Sequence, residues 1–391
     1  MKPVRVLISG AGISGLTTAL FLSRSGFEVV VFERAEQLAA IGAGLQLSPN
    51  AWKTLQQLGL EEALNALGTF PNSIRLNNGR SGKQIATVPL GKTVHETYGA
   101  PYCVMHRADL QSVLYNACKQ SQQITFHFSK SCVNFSSSED QVTLETDTNG
   151  IRELAQGNLL VIADGIHSNL REAGLGLPSP QFQNKIAWRS LIPQNEIEDE
   201  NLLEDTYVWL SSKAHCVSYP VSGGQYVNFV AILPGEESDK TFTTDDRLNG
   251  SSKLFEYFPS IKQYISHDTT WTAWPLYAYR NPLCSTHPLT VLIGDAGHAM
   301  LPFAAQGAAM GIEDAAILAR QLKTQSTPKL ALVNFEHQRF SRVSNVMKLA
   351  KSNGRIYHLP QPLAFFRDLV MRNSSPASLL KRQDWIYNWE P

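Results

Sequence analysis

A glycine-rich loop near the start of the chain, residues 10–15, has the pattern Gly-x-Gly-x-x-Gly. The first glycine permits a tight turn, the second lets the backbone approach a pyrophosphate, and the third lets a helix pack close to a strand. Glu33 lies 23 residues beyond Gly10, where a carboxylate can accept hydrogen bonds from ribose hydroxyls. These residues predict a bound adenine dinucleotide rather than a purely structural turn, and they leave open which one. The loop residues assigned to this site are Gly10, Gly12, Ile13, Ser14 and Gly15.

Two further carboxylates, Asp164 and Asp295, follow short apolar runs and precede helix starts. Either aspartate alone could be an ordinary helix N-cap. Carboxylates at the carboxyl ends of parallel strands are more typical of a sheet edge at which a polar ligand binds. The two motifs, Asp164-Gly165 and Gly294-Asp295, therefore strengthen the prediction of a ligand site at one sheet edge.

The elements around these groups form a strand, turn, helix and strand unit. Residues 4–9 and 27–32 are apolar and rich in β-branched residues, which is typical of buried parallel strands. Residues 16–25 have helical spacing and stop at Gly26. The runs 159–163 and 289–293 repeat the buried-strand pattern. Together these runs predict an α/β domain with a parallel sheet.

Residues 181–280 differ in pattern, because apolar and polar residues alternate and aromatic residues are frequent. Alternation predicts an antiparallel sheet in a separate β-rich module. The aromatic side chains there are interpreted as sheet core in preference to a cofactor box; they are Trp271, Trp274, Tyr277 and Tyr279. Residues 307–322 predict a helix, and the chain after Pro328 is mostly helical, with 334–353 the longest run.

The charge balance excludes a polycation that binds nucleic acid through its overall charge, since 34 Lys and Arg residues face 34 Asp and Glu residues. The balance is uneven along the chain. Residues 320–391 hold 12 basic and 4 acidic residues, net +8, which leaves 22 basic and 30 acidic residues, net −8, before them. The basic segment is interpreted as solvated helix faces, as attraction of an anionic ligand, or as contact with an acidic partner.

The cysteines are odd in number, lie far apart and include no Cys-x-x-Cys pair. They indicate neither a zinc site nor a disulfide framework, so we expect no metal and a reducing, cytoplasmic compartment. The uncharged run 6–23 is interrupted by the glycine loop, and we expect no integral membrane segment. The five residues are Cys103, Cys118, Cys132, Cys216 and Cys284.

With the two acidic motifs in this order, the sequence resembles the single-component (class A) flavoprotein aromatic hydroxylases. That family shares the glycine loop, an Asp-Gly motif before an inserted substrate domain, and a Gly-Asp motif after it. The likeness continues through residues 306–315 and covers nearly the whole chain. Segments 41–46, 188–193 and 215–221 are most similar to the salicylate, 3-hydroxybenzoate and 6-hydroxynicotinate hydroxylase branch.

The resemblance implies a p-hydroxybenzoate-hydroxylase-like fold: a Rossmann-like FAD-binding domain with an inserted antiparallel β-sheet substrate domain and C-terminal helices. We expect the FAD-binding domain at 1–75, 101–180 and 285–325, the substrate domain at 76–100 and 181–284, and a helical region at 326–391.

The same resemblance implies how this chain would hold a tight, non-covalent FAD. Glu33 matches the ribose-binding acid, Arg34 lies at the adenine end, and Arg107 contacts the phosphate and ribitol portion. Asp295 would bind the ribitol chain, and Asp164 would serve both FAD and NAD(P)H. The helix start Gly307, Ala308 and Ala309 would offer amides to the flavin ring, the segment from Ala43 to Gln46 would lie beside that ring, and Cys132 would add a backbone contact.

The implied chemistry is hydride transfer from NADH or NADPH to FAD, addition of O2 to give a flavin C4a-hydroperoxide, and attack of its distal oxygen on an electron-rich ring. His215 and Tyr219 match the branch's His-x-x-x-Tyr-Pro pattern and are the candidates for deprotonating a phenol. On a strand they would share one face, so they could instead be a hydrogen-bonded core pair. Arg189 is a candidate for a substrate carboxylate, or a structural pair; Gln306 could touch flavin or substrate.

The expected substrate is a small aromatic, either a phenolic or a heteroaromatic acid, with O2 and transient NAD(P)H as co-substrates. No second glycine fingerprint is present in the sequence to choose NADH over NADPH. The alternatives are an epoxidase or hydroxylase of a larger polyketide or alkaloid, and a flavin-binding redox protein without oxygenase activity. We expect no nucleic-acid partner and a monomer or homodimer.

Overall fold

The computed structural model describes residues 4–38, 44–197, 199–237, 253–265, 269–283 and 287–391. Its strands are β1 (Arg5–Ser9), β2 (Glu28–Phe32), β3 (Gly44–Leu47), β4 (Ser73–Asn78), β5 (Gln84–Pro89), β6 (Cys103–His106), β7 (Ile124–His127), β8 (Ser131–Ser137), β9 (Val142–Thr148), β10 (Ile151–Gly157), β11 (Leu159–Ile162), β12 (Gln181–Pro193), β13 (Thr206–Ser211), β14 (Ala214–Val221), β15 (Tyr226–Pro234), β16 (Thr272–Ala278) and β17 (Thr290–Leu292).

The α-helices are α1 (Ile13–Arg24), α2 (Pro49–Gln56), α3 (Glu61–Leu67), α4 (Gly91–Tyr98), α5 (Arg107–Lys119), α6 (Asn201–Glu204), α7 (Asp295–His298), α8 (Gly307–Thr324), α9 (Pro328–Tyr357), α10 (Leu363–Arg372), α11 (Pro376–Lys381) and α12 (Asp384–Tyr387). A π-helical turn spans Leu170–Gly174, and 3₁₀ turns span Gln194–Glu196, Pro259–Gln263 and Pro302–Ala304.

A five-stranded sheet in the order β17-β11-β1-β2-β7 carries the glycine loop, and all of its pairs are parallel. Alternate residues of its strands enter two separate cores. Val6 and Ile8 of β1 pack with the helices, whereas Leu7 packs with β9. The parallel unit predicted from the apolar runs is therefore confirmed. The runs are apolar at every position because the strands are covered on both faces.

The second face of that sheet is covered by a three-stranded antiparallel sheet in the order β10-β9-β8. Val142 and Leu144 of β9 lie in the same core as Leu160 and Ile162 of β11. Strand β10 was not predicted, because its outward side chains hide the alternation: Ile151 and Leu154 are among its exposed residues.

A seven-stranded sheet in the order β16-β12-β15-β14-β13-β4-β5 forms the β-rich module. Its pairs are antiparallel as predicted, except that β4 joins β13 in parallel. Trp188, Trp209 and Phe229 build the core on one face. The predicted aromatic run divides: Trp271 and Tyr279 are buried, whereas Trp274 is 43 % exposed.

The C-terminal segment is helical, and its longest helix exceeds the predicted 334–353. Helix α9 is 30 residues long. It begins at Pro328 because proline is favoured in the first turn and the Thr327 side chain caps that turn by accepting a hydrogen bond from the Leu330 amide. No helix in the described ranges is long and apolar enough to cross a membrane. Four cysteines, Cys103, Cys118, Cys132 and Cys216, are buried free thiols, and Cys284 lies outside the described residues.

Candidate active site

A cavity of about 370 Å³ lies between the starts of helices α1 and α8 and the seven-stranded sheet. It brings together groups that are far apart in the sequence. The sequence-predicted residues that line it are Gly12, Ile13, Ser14, Gln46, Arg107, Arg189, His215, Tyr219, Asp295, Gly307 and Ala308. Apolar side chains that the sequence analysis did not single out complete the wall, among them Val217, Val230, Ile232, Leu276 and Met300.

The glycine loop has the shape that a dinucleotide requires. Gly10 has φ of +99°, and a β-carbon there would lie 2.6 Å from the Ala163 carbonyl oxygen. A β-carbon on Gly15 would overlap the Gly10 carbonyl. Gly12 differs, because a β-carbon there would meet nothing within 4 Å, and Gly12 lines the cavity. The first and third glycines thus satisfy packing, and the second leaves an open cradle for a ligand.

Helix starts on both sides of the cradle supply hydrogen-bond donors. The first amides of α1 and of α8 have no partner within their helices, and the partial positive charge of each helix start favours an anion. Gly307 at the start of α8 also has open space where a side chain would lie. These features fit a dinucleotide pyrophosphate with a ring system at the other end of the cavity.

Glu33 lies at the end of β2, beneath the loop. Its Oε2 accepts a hydrogen bond from the Ala11 amide at 2.8 Å, and its Oε1 accepts one from the Ala35 amide at 3.0 Å. Both contacts orient the carboxylate without using all of its lone pairs. Its predicted neighbour Arg34 is exposed, and Cys132 is buried on β8; neither residue lines the cavity.

The two acidic motifs have different environments. Asp295 is exposed and lines the cavity. Asp164 has a fully enclosed Oδ1 that finds no hydrogen-bond partner among the described residues. Burial raises the pKa of Asp164 to about 6, although a hydrogen bond from Ser168 opposes the shift. A buried carboxylate oxygen without a donor is costly in a finished structure and is expected beside a ligand that donates to it.

Strand β14 presents His215, Val217 and Tyr219 on the cavity face. His215 is 2 % exposed, and its Nδ1 lies 2.7 Å from Nε2 of His358. The suggested hydrogen-bonded pair of His215 and Tyr219 is thus replaced by a pair that joins β14 to the end of α9. Nothing in the sequence indicated His358, which is 143 residues further along.

Tyr219 is 4 % exposed and packs against Gly44, where a β-carbon would overlap its ring. The Gly44 amide donates to Asn228 Oδ1 at 3.0 Å, which fixes the start of β3 against the sheet. Further along β3, Gln46 accepts a hydrogen bond from the Tyr102 hydroxyl. Of the segment from Ala43 to Gln46, Ala43 lies outside the described residues.

Arg189 is a cation in the cavity wall. Its Nε is enclosed and has no hydrogen-bond partner in the described part of the chain, and its guanidinium lies 5.5 Å from the Trp274 ring. Burial lowers the pKa of Arg189, the nearby Tyr219 opposes that shift, and Arg107 adds to it. Two arginines therefore face one cavity.

Gln306 is placed differently from the expected contact with flavin or substrate. It is buried outside the cavity lining; its Nε2 donates to Ser48 Oγ at 2.8 Å, and its Oε1 accepts from Asn50 Nδ2 at 3.1 Å. Gln306 thus supports the start of α8 from behind. The other predicted residues outside the lining are Gly10, Gly15, Glu33, Asp164 and Ala309.

A glycine loop on a parallel sheet, opening into a cavity lined by a second sheet, is the arrangement expected of the flavin-dependent hydroxylases. Residues 3–350 match the family described as FAD binding domain. The chain belongs to this family.

Curated relatives extend along the whole chain. The sequence is 33 % identical to 3-hydroxybenzoate 6-hydroxylase 1 of Aquipseudomonas alcaligenes, over 98 % of both chains. It is also 33 % identical to 6-hydroxynicotinate 3-monooxygenase of Pseudomonas fluorescens, over 89 % of this chain and 91 % of that one.

Two solved structures are similar at 25 % identity. Klebsiella pneumoniae HpxO complexed with FAD and uric acid gives a TM-score of 0.84, over 97 % of this chain and 95 % of that one. A salicylate hydroxylase substrate complex gives 0.77, over 99 % and 96 %. These findings confirm the predicted branch, the p-hydroxybenzoate-hydroxylase-like fold, FAD as cofactor, and the reaction class of an FAD-dependent aromatic monooxygenase.

Proposed function

We propose that the protein hydroxylates a small aromatic carboxylic acid with a ring hydroxyl, consuming O2 and NADH or NADPH. The relatives named above are hydroxylases of 3-hydroxybenzoate and 6-hydroxynicotinate, and both of these compounds combine a carboxylate with a ring hydroxyl. The observation that carries the proposal in this chain is Arg189.

Arg189 is suited to an anionic substrate because it is half-buried, lines the cavity and has an uncompensated charge. In the described ranges no carboxylate forms an ion pair with it, and its Nε lacks an acceptor. A half-buried cation without an anionic partner is unfavourable, and an incoming carboxylate would supply both a counter-charge and acceptor oxygens. The Trp274 ring, whose centroid lies 5.5 Å from Arg189 Cζ, would favour the position of the guanidinium through a cation–π contact while the carboxylate enters.

His215 and Tyr219 share one face of the cavity, and the ring hydroxyl of such a substrate would lie against that face. His215 Nδ1 is engaged by His358, which leaves Nε2 for the cavity. Burial keeps the pKa of His215 well below its ordinary value, so the ring is neutral and able to accept a proton. Burial raises the pKa of Tyr219, so its hydroxyl remains a donor that can hold the phenolate oxygen.

The cofactor would lie across the cradle of Gly12 and Gly307, with Glu33 toward the ribose, Asp295 and Arg107 toward the ribitol, and Gln46 toward the ring. When bound, FAD takes reducing equivalents from the nicotinamide and delivers activated oxygen to the substrate ring. The described residues would bind and orient FAD and the substrate, and they would exclude water from the cavity. The cavity of about 370 Å³ would have to admit the flavin ring as well as the substrate ring.

The test is a screen of FAD-loaded protein with aromatic acids, scoring substrate-stimulated oxidation of NADH and NADPH together with hydroxylated product. Paired compounds with and without the carboxylate, such as 3-hydroxybenzoate and phenol, isolate the part played by Arg189. Arg189→Gln should raise KM for the acid about 10- to 100-fold, the loss expected for a charge-assisted hydrogen bond, and should leave phenol turnover nearly unchanged.

Arg80→Gln, a change of the same charge in an exposed turn, is the matched control. Turnover of an alkene or polyketide with silence across the acids would contradict the substrate class. Yellow protein without any stimulated oxidation would contradict the oxygenase.

The proposal also covers the cellular compartment and the oligomeric state of the protein. The buried free thiols Cys103, Cys118, Cys132 and Cys216 support a reducing, cytoplasmic compartment. Cell fractionation tests the location, and light scattering on the FAD-loaded protein distinguishes a monomer from a homodimer.

A further inference from the structure

His358 is a half-buried histidine that caps the end of helix α9. It belongs neither to the glycine loop nor to the seven-stranded sheet. Its Nε2 lies 2.7 Å from Nδ1 of His215, and the two ring centroids are 5.0 Å apart at an angle of 34°. His215 is enclosed and faces the cavity, whereas His358 reaches the protein surface in part. The two rings therefore form a continuous hydrogen-bonded path from the cavity wall outward.

The path is held rigid by neighbouring elements. The Phe303 ring packs edge-on against both imidazoles, with centroids 5.1 Å from His215 and 5.5 Å from His358, and Tyr357 packs edge-on against His215. The His358 carbonyl accepts a hydrogen bond from the Lys213 amide at 3.1 Å, in the turn before β14. The distance of 2.7 Å between the two ring nitrogens is that of a hydrogen bond, and the packing of both rings holds this bond in one orientation.

We propose that His215 and His358 form a two-histidine relay that carries the ring-hydroxyl proton of the substrate from the cavity wall to solvent. This inference rests on the proposed function, because it requires a substrate hydroxyl that ionises. His358 acts through His215 and is therefore a positioning residue. Its side chain has no other role among the described contacts.

The proton balance uses both nitrogens of each ring. His215 Nε2 takes the proton of the substrate hydroxyl, and the proton on His215 Nδ1 moves to His358 Nε2. His358 then releases its Nδ1 proton to water, which leaves two neutral rings and a phenolate. The hydrogen bond between the rings is reversed in direction but intact. Protonation of the product oxygen by His215 Nε2 runs the same steps backwards and resets the pair.

Burial and the surrounding positive charges disfavour the protonated, cationic form of both rings. Burial lowers the pKa of His358 to about 3, and Lys185 of β12 and Arg367 of α10 lower it further. Burial, His358 and Lys185 act in the same direction on His215. The other titratable neighbour, Tyr357, has its pKa raised by burial and stays neutral. Both rings are therefore neutral at ordinary pH, and either can donate or accept.

The experiment measures proton release directly in oxidised, FAD-loaded protein. The probe is 3-hydroxy-4-nitrobenzoate, whose phenolate absorbs visible light, and a stopped-flow pH jump records how fast the bound phenolate forms. His358→Phe fills the space without a proton carrier and should slow phenolate formation about 10-fold or more, with little change in probe affinity. Added imidazole should restore the rate in His358→Ala in proportion to its concentration.

Tyr357→Phe is the matched control, since it preserves packing against His215 and removes only a hydroxyl. His358→Gln repeats the test if the phenylalanine variant does not fold. An unchanged rate of phenolate formation in both His358→Phe and His358→Gln, or a slow His358→Ala that imidazole does not rescue, would overturn the relay alone. Failure of the wild-type protein to ionise the probe and to turn over any hydroxy acid would overturn the proposed function instead.

Discussion

Arg339 and Asp314 form an ion pair in the protein core, with Nε 2.7 Å from Oδ1 and both side chains almost fully enclosed. The second oxygen of Asp314 accepts hydrogen bonds from the Gly294 amide at 2.9 Å and from His298 Nε2 at 2.6 Å. Gly294 begins the Gly-Asp motif, so helix α9 fixes the loop that carries Asp295. The basic C-terminal segment thus supplies buried structural cations to the site, which none of the interpretations of its charge had included.

The first prediction concerns this pair. Arg339→Met should destabilise the protein by about 3–5 kcal/mol, because it leaves Asp314 and the adjacent Glu313 buried without their shared partner. The destabilisation should be larger with FAD than without it, since a loop that the ion pair no longer fixes binds the cofactor less tightly and loses part of the stabilisation that bound FAD adds. Urea denaturation with and without FAD measures both effects. Arg320→Met, on the exposed side of α8, should cost under about 1 kcal/mol, and an equal cost for the two variants would contradict the assignment.

The second prediction is the pH dependence caused by Asp164. Its pKa of about 6 in the folded protein exceeds the ordinary 3.8, so between these values the folded state binds more protons than the unfolded state. The stability of FAD-free protein should therefore fall as pH rises from about 4 to about 6 and stay reduced above that range. Asp164→Asn should remove this loss, stabilise the FAD-free protein by about 1–3 kcal/mol at pH 7.5, and weaken FAD binding.

Thermal unfolding across pH, with FAD titration at pH 7.5, checks the Asp164 prediction. Asp140→Asn, in an exposed turn, is the control and should keep the wild-type slope. An unchanged slope in Asp164→Asn would mean that another group carries the dependence.

The third prediction separates the roles of two loop glycines. Gly12→Val should lower FAD affinity by at least about 10-fold while sparing the fold, because its side chain enters only the open cradle. Gly10→Ala should destabilise the protein, since its β-carbon would crowd Ala163 and its φ of +99° is unfavourable for alanine. Circular dichroism melts and FAD fluorescence titrations distinguish the two. Equal loss of stability in both variants would show that Gly12 is also a packing residue.

The glycine loop, its strands and the acidic strand ends could be predicted from the sequence because their signals are local: β-branched runs, a glycine spacing and a carboxylate at a fixed distance. The placement of Gln306 and the partner of His215 could not, since Gln306 bonds Ser48 and Asn50 and His215 bonds His358, at sequence separations of 258, 256 and 143. The pairing of Asp314 with Arg339 could not either, because it depends on how helix α9 packs against helix α8. The parallel pairing of β4 with β13 also lies beyond local pattern, because register between distant strands is set by the assembled sheet.

The last prediction tests the contact between Gly44 and Tyr219. Gly44→Ala adds a β-carbon that overlaps the Tyr219 ring, although the backbone there is compatible with alanine. We expect near-wild-type melting and FAD content, a kcat/KM for hydroxylation reduced about 10-fold, and more NAD(P)H oxidised per product formed. The double variant Gly44→Ala with Tyr219→Ala isolates the cause, because removal of the ring abolishes the overlap. In the Tyr219→Ala background Gly44→Ala should cost nothing further, whereas additive losses would show that Gly44 acts on the site without Tyr219.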